Sequence, residues 1–290
     1  MSSHPHEHLS STAPIGVFDS GVGGLTVLRE LFRELPDERY IFFGDTGNCP
    51  YGVRSPAEIT QLSLNGAAFL LKHGVKLIVV ACNTASSASI DTLRATYPQI
   101  KFIAVVPAVK PAAEMTKTGR VIVAATDSAA RSDYLRGLIE RFAHSVEVFP
   151  VGCQSLVSLA EAGKLDGPEV EDEIRRRIEP LLSKDIDVLA LGCTHFPALR
   201  AAFERVVGPH VRVIDSGAAV ARQTRRVLRE QHLLAAPEAG PARKPRVPRP
   251  DDEFWRSGTS DTFEQVASLL LGAPVEGRYA ADMLWTPASA

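Results

Sequence analysis

Short apolar runs alternate with amphipathic segments along most of this chain. Ile15-Gly16-Val17-Phe18, Tyr40-Ile41-Phe42-Phe43, Phe102 to Val106, Val121-Ile122-Val123-Ala124, Val146 to Phe149 and Val211 to Ile214 each have the length of a strand. Two further runs, Leu77-Ile78-Val79-Val80-Ala81 and Val188-Leu189-Ala190-Leu191, are apolar at every position. Such runs fit strands buried on both faces, as in a parallel sheet covered by helices. Between them lie segments of helical periodicity, such as Leu25, Leu28, Phe32 and Leu35, or Ile59, Leu62, Phe69 and Leu70. Ser55-Pro56-Ala57-Glu58 opens the second of these with a Ser cap, Pro at the first helical position and Glu three residues on. Further helices read around Tyr134 to Phe142, through Leu156 and Leu159, and through Ile174 and Ile178. The β-α-β-α order predicts an α/β fold with mostly parallel sheets flanked by helices.

A chain of 290 residues has room for two such domains. The expected division puts 14–107 together with 213–290 in the first and 108–212 in the second. Pro107 to Pro111 marks the boundary, and the chain returns near Val213. Ala235 to Glu253 is rich in Pro and charge and reads as a mobile surface linker, with order resuming over Phe263 to Leu271. Residues 1–13 read as a disordered tail carrying His4, His6 and His8.

The net charge of -2 points to no nucleic-acid or membrane partner. No apolar stretch approaches the length of a membrane span. The polar head lacks the basic start and apolar core of a secretory signal. A cytoplasmic, reduced protein is therefore expected, and Cys49, Cys82, Cys153 and Cys193 read as free thiols. No Cys-x-x-Cys or His-x-x-x-His pair supports a zinc site built on Cys82, Cys193 and His195, and no metal is expected.

The two fully apolar strands end alike. Ala81 leads into Cys82-Asn83-Thr84, and Gly192 leads into Cys193-Thr194-His195. Ligands of open α/β sheets collect at the carboxyl ends of strands. Two thiols delivered to two such ends suit chemistry that needs two acid/base groups facing one substrate. A single free Cys is as often an inert core residue; the matched pair argues against that. His195 could ligate a metal or serve the fold, but an imidazole this near a thiol is well placed to tune it. Asp19-Ser20-Gly21-Val22-Gly23-Gly24, between a strand and a helix, matches neither GxGxxG nor GxxxxGK[ST]. It suits a small carboxylate held by backbone amides, or a plain helix cap. Cys49, beside Pro50-Tyr51-Gly52, and Cys153, before Gln154, read as incidental.

Taken in order, Asp19 to Gly24, Pro50-Tyr51-Gly52, Cys82-Asn83-Thr84 and Cys193-Thr194-His195 resemble the four signature segments of the glutamate racemases, a cofactor-independent family of the aspartate/glutamate racemase group. The resemblance runs from about Ile15 to Leu271. It implies two α/β domains facing each other across a cleft that holds the active site, and interconversion of L- and D-glutamate for bacterial peptidoglycan without a cofactor. It implies that Cys82, with Asp19 beside it, acts on D-glutamate, and that Cys193, with His195 and Glu161 beside it, acts on L-glutamate. Asp19, Ser20, Pro50, Tyr51, Gly52, Cys82, Asn83, Thr84, Thr126, Cys193, Thr194 and His195 take the positions that hold the substrate. The chain departs from the pattern where many members have Cys-Pro and it has Cys153-Gln154, and where many have a second Thr and it has Ala129. Glutamate is the partner implied; a homodimer is left open.

The chemistry agrees with the resemblance. Racemisation removes a proton from one face of Cα and returns one to the other, which two groups on opposite walls can do without moving. A thiol titrates close enough to neutrality for both roles. No lysine stands out for a pyridoxal Schiff base, so electrostatics around the α-carboxylate must stabilise the carbanion. Two other readings share the fold: a racemase or related enzyme acting on aspartate, and a non-catalytic binder of a small anion.

Overall fold

The computed structural model describes residues 10–237, 246–259 and 262–281. In chain order the first elements are β1 (Ile15–Asp19), α1 (Leu25–Glu34), β2 (Tyr40–Gly44), a short 3-10 turn (Tyr51–Val53), α2 (Pro56–Lys72), β3 (Leu77–Val80), α3 (Asn83–Thr96) and β4 (Lys101–Ala104). There follow α4 (Val109–Met115), β5 (Arg120–Ala125), α5 (Asp127–Ala130), α6 (Asp133–Phe142), β6 (Glu147–Gly152), α7 (Gln154–Glu161), α8 (Pro168–Leu182), β7 (Val188–Leu191), a 3-10 turn (Phe196–Leu199), α9 (Arg200–Val207) and β8 (Arg212–Ile214). The chain closes with α10 (Gly217–Glu230), β9 (Glu253–Arg256), α11 (Thr262–Leu271) and β10 (Gly277–Tyr279). Among the described residues no helix is long and apolar enough to cross a membrane.

The strands form two sheets, one of six strands in the order β10-β9-β2-β1-β3-β4 and one of four in the order β6-β5-β7-β8. Every pairing is parallel, as the unbroken apolar runs require. β1 and β3 alternate their side chains between two cores. Val17 and Val79 pack with Leu25, Leu28, Phe32, Val220 and Phe263 on one face, while Phe18, Ile78 and Val80 pack with Leu62 and Leu70 on the other. In the second sheet, Ile122, Leu189 and Leu191 face Leu156, Ile174 and Phe203, and Val121, Val123 and Val188 face Ala112 and Leu135. Full burial of each such side chain contributes roughly 1.5–3 kcal/mol.

In both sheets the chain lays down a central strand, adds a neighbour on one side, then crosses to the other. This places the strand-order reversal between β1 and β3 in one sheet and between β5 and β7 in the other. Crevices for ligands open at such reversals. The registers match as well. Phe18 lies opposite Val80, and Ala124 opposite Leu191. Two residues beyond each pair stand Ser20 with Cys82, and Thr126 with Cys193.

Three expectations about the periphery need correction. β8 pairs with β7 in the four-stranded sheet, so the return near Val213 comes too early; the crossing follows Ile214, and α10 then packs on α1. The linker expected over 235–253 is not loose where it is described. Arg246 is buried with Asp252 at 2.8 Å, lies over the rings of Phe32 and Tyr40, and donates to the Pro36 and Glu38 carbonyls. A guanidinium stacked on aromatic faces while its edge is hydrogen-bonded is a strong anchor. Glu253 already belongs to β9. Residues 10–13 of the expected tail are tied to the fold: Lys76 Nζ donates to the Ser11 carbonyl at 2.5 Å and to Glu38 at 2.5 Å. His4, His6 and His8 lie outside the described residues.

Candidate active site

The carboxyl ends of the two sheets face each other, and the loops beyond their strands interlock. Asp19, the last residue of β1, is fully buried. Its Oδ1 accepts from the Gly21 N–H at 2.7 Å, and its Oδ2 from the Thr194 hydroxyl of the other half at 2.9 Å. Thr26 Oγ1 donates to the Thr194 carbonyl at 2.8 Å. The Asp19 to Gly24 loop thus lies against the Cys193-Thr194-His195 loop. Its glycines do this work: a Cβ at Gly23 would sit 2.6 Å from His195 Nδ1 and 2.7 Å from Thr194 Oγ1. The sequence suggested backbone amides held for a small carboxylate. The Val22 N–H donates instead to a carboxylate of the protein itself, Glu161 Oε1, at 2.8 Å.

Cys82 is the N-cap of α3, and its sulfur accepts from the Ala85 N–H at 3.4 Å. Ser20 Oγ lies 3.5 Å from the same sulfur. Burial, and then the Asp19 carboxylate, push the Cys82 thiol up to about 12. Burial also raises Asp19 to about 6, against the opposing pull of His195 and of its own hydrogen bonds.

Cys193 follows β7, and its sulfur lies 3.6 Å from His195 Nδ1. The other ring nitrogen, Nε2, lies 2.5 Å from Glu161 Oε1, at the last residue of α7. Burial works against charging this imidazole. The hydrogen bonds to Cys193 and Glu161, with the charges of both, outweigh it and hold His195 well above the ordinary histidine value. Burial likewise would raise Glu161, yet its bond to His195 and the imidazolium charge bring it below the ordinary carboxylate range. The result is a buried imidazolium–carboxylate pair with one ring nitrogen turned to a thiol.

Both thiols are nearly closed off, Cys82 at 5% exposure and Cys193 at 6%. Asn83 and Thr84 form the first turn of α3, and Thr84 Oγ1 lies 3.3 Å from Thr126 Oγ1, the N-cap of α5. Gly52 brings its backbone against Thr126 and Gln154, where a Cβ would lie 3.1 Å from Thr126 Cβ. Pro50 precedes this turn through a cis Cys49–Pro50 peptide. Tyr51 belongs to the core: its ring is buried against Phe18, and its hydroxyl donates to Asp45 Oδ2 at 2.6 Å. Only its backbone is left for a ligand. Among the described residues, Asn83 Oδ1 and both polar side-chain atoms of Gln154 are buried without a hydrogen-bond partner. Buried polar atoms of this kind are rare and point to a polar guest.

Two residues at the site escaped the sequence reading. Gln154 reaches it through its amide at the start of α7. Cys49 lines a cavity of about 400 Å³ with Glu161, Val22 and Phe263. Its thiol is held far up by burial and by the Glu161 and Asp19 charges. The signal for both was thin: one side chain each, beside motifs that drew the attention. Cys153 is buried in the core of the second half, as an incidental cysteine would be.

Known proteins share this fold. The family model described as Asp/Glu/Hydantoin racemase matches residues 15–224. A glutamate racemase of Herpetosiphon aurantiacus is 45% identical over 257 residues, covering 89% of this chain and 97% of the relative. One from Pseudomonas aeruginosa is 42% identical over 263 residues, covering 91% and 96%. Among solved structures, the Francisella tularensis glutamate racemase in complex with D-glutamate superposes with a TM-score of 0.80 at 28% identity, covering 93% of this chain and 98% of that one. The Escherichia coli glutamate racemase, solved with L-glutamate and the activator UDP-MurNAc-ala, gives 0.78 at 34% identity, covering 91% and 97%. Topology and sequence agree, and the chain belongs to the Asp/Glu/hydantoin racemase family, among its glutamate racemases.

Proposed function

We propose that this protein interconverts L- and D-glutamate by a two-base mechanism in which Cys82 and Cys193 face opposite sides of Cα, supplying D-glutamate for peptidoglycan. The observation that carries the reading is the pair of thiols at matched strand ends, each with a different proton partner. From L-glutamate, Cys193 takes the α-proton with His195 Nδ1 beside its sulfur, and Cys82, a thiol at rest, gives its proton to the opposite face. From D-glutamate the roles reverse, with Asp19 next to Cys82. Glu161 is a positioning residue that keeps His195 charged and aimed.

The carbanion needs charge stabilisation that a buried site supplies better than water. The free N–H groups of the first turn of α3, the Ser20, Thr84, Thr126 and Thr194 hydroxyls and the Asn83 amide are the donors and acceptors available to the two carboxylates and the ammonium. The Gln154 amide, unpartnered beside Gly52 and Thr126, adds a donor and an acceptor on the second half. Closing the halves over the substrate excludes water and strengthens each of these contacts.

Incubation with L-glutamate in D₂O, with no added cofactor, tests the proposal. D-glutamate should form and deuterium should enter at Cα; no exchange with either enantiomer would end the reading. Cys82→Ala and Cys193→Ala should each abolish racemisation, and full activity in either would remove the two-base mechanism.

A further inference from the structure

Outside the two-thiol step, one set of ligating side chains draws together from three distant parts of the chain. The Cys49 sulfur, a Glu161 carboxylate oxygen and a His195 ring nitrogen all lie within 4.8 Å of one another. Cys49 comes from the turn after β2, Glu161 from the end of α7, and His195 from the loop after β7. We propose that Cys49, Glu161 and His195 form a Zn²⁺ site that, when filled, shuts the racemase off. The inhibitory part rests on the racemase reading; the binding part does not.

Thiolate, imidazole and carboxylate are the donors that zinc takes, with bonds of about 2.0–2.3 Å. A tetrahedral ion at those distances sets its ligand atoms roughly 3.3–3.8 Å apart, inside the spread already present. The main adjustment is at the 2.5 Å contact between Glu161 and His195, which must open by about 1 Å to admit the ion. Glu161 and Asp19 bring two carboxylates to bear on the Cys49 sulfur, which favours a divalent cation there. Bound there, a divalent cation takes the Cys49 sulfur as thiolate, because ligands bind metals in their deprotonated forms. The cavity of about 400 Å³ lined by Cys49 and Glu161 gives the ion a way in.

The consequence follows from the geometry of the ring. His195 serves Cys193 through Nδ1, and Nε2 is the nitrogen turned to Glu161. A cation bound between them takes Nε2 and breaks the imidazolium–carboxylate pair. Glu161 can no longer hold the ring in place beside Cys193. The site therefore couples free zinc to the placement of one catalytic partner, leaving both thiols of the reaction untouched.

The probe is Co²⁺ added to the full-length, chelator-stripped protein and then displaced by Zn²⁺. Tetrahedral Co²⁺ bound to thiolate gives a near-ultraviolet charge-transfer band. It should be present in the native protein and in Cys82→Ala and Cys193→Ala, absent from Cys49→Ser, and erased by zinc. In the glutamate assay, Cys49→Ser should need at least about tenfold more zinc for half-inhibition than the native protein. A missing band in the native protein, a band that survives Cys49→Ser, or equal zinc sensitivity of the two proteins would each overturn the proposal. If no racemisation occurs at all, the functional reading fails, while the cobalt band still decides the site.

Discussion

Asp19 sets burial against charge at a single residue. Its carboxyl has no exposure, and burial lifts it from 3.8 to about 6. A carboxyl whose folded value lies above its unfolded value disfavours folding in its charged form. The penalty is full above about pH 6, shrinks as pH falls and is gone below 3.8. At about 1.4 kcal/mol per pH unit it amounts to about 3 kcal/mol. Asn keeps an acceptor for the Gly21 N–H and a polar partner for Thr194. Asp19→Asn should therefore raise stability by about 2–3 kcal/mol at pH 8, with the gain vanishing near pH 4, while racemisation falls steeply. Urea unfolding at the two pH values measures the first effect, and a gain independent of pH would refute the burial argument. Asp19 itself was legible in the sequence because it ends a strand ahead of a glycine-rich turn. Cys49 and Gln154 were not, because their roles depend on which residues the other half brings to them, and no local pattern encodes that.

At the scale of elements, what could be read was what is local. The apolar runs of β3 and β7 announced central parallel strands. The capping box at Ser55 is present in full, with Glu58 N–H on the Ser55 hydroxyl and the Ser55 N–H on the Glu58 carboxylate. β9 and β10 were missed for a physical reason. Glu253-Phe254-Trp255-Arg256 and Gly277-Arg278-Tyr279 are short, flanked by charge and at one side of the sheet, so neither has the pattern of a doubly buried strand. The Asp19 to Gly24 loop was legible as a strand-to-helix turn but not in its packing. Its glycines make room for the opposite half, so a methyl group there acts across the interface. Gly23→Ala would set a Cβ 2.6 Å from His195 Nδ1 and must displace that ring. The expected result is a loss of at least about tenfold in kcat/KM, some 1.4 kcal/mol at the transition state, with a melting temperature near that of the native protein. Native activity in the variant would show that the loop and His195 are not held as tightly as this packing requires.

The whole molecule joins two sheets of similar logic whose carboxyl ends close on each other, and this closure bears on the two thiols that stand at the strand ends. Cys82 and Cys193 are almost fully covered; each touches its own core but stands just past a strand end, where the loops of the two halves interlock. Cys153 has no exposure and is enclosed by Leu156, Ile174 and Phe203 within one core. Two different openings are thus needed to reach them. Parting of the halves is a limited motion, of the kind that gates many active sites on microsecond to millisecond timescales. Reaching Cys153 requires unfolding of a packed core, the rarest opening a protein makes. Alkylation with iodoacetamide, followed residue by residue by mass spectrometry, should label Cys82 and Cys193 at least about tenfold faster than Cys153 in the native protein, a separation of only about 1.4 kcal/mol in opening free energy. Saturating glutamate, by holding the halves together, should slow the first two and leave Cys153 unchanged. Equal rates at all three positions would mean that the thiols are reached only by global unfolding, and that the substrate enters by some route other than separation of the two halves.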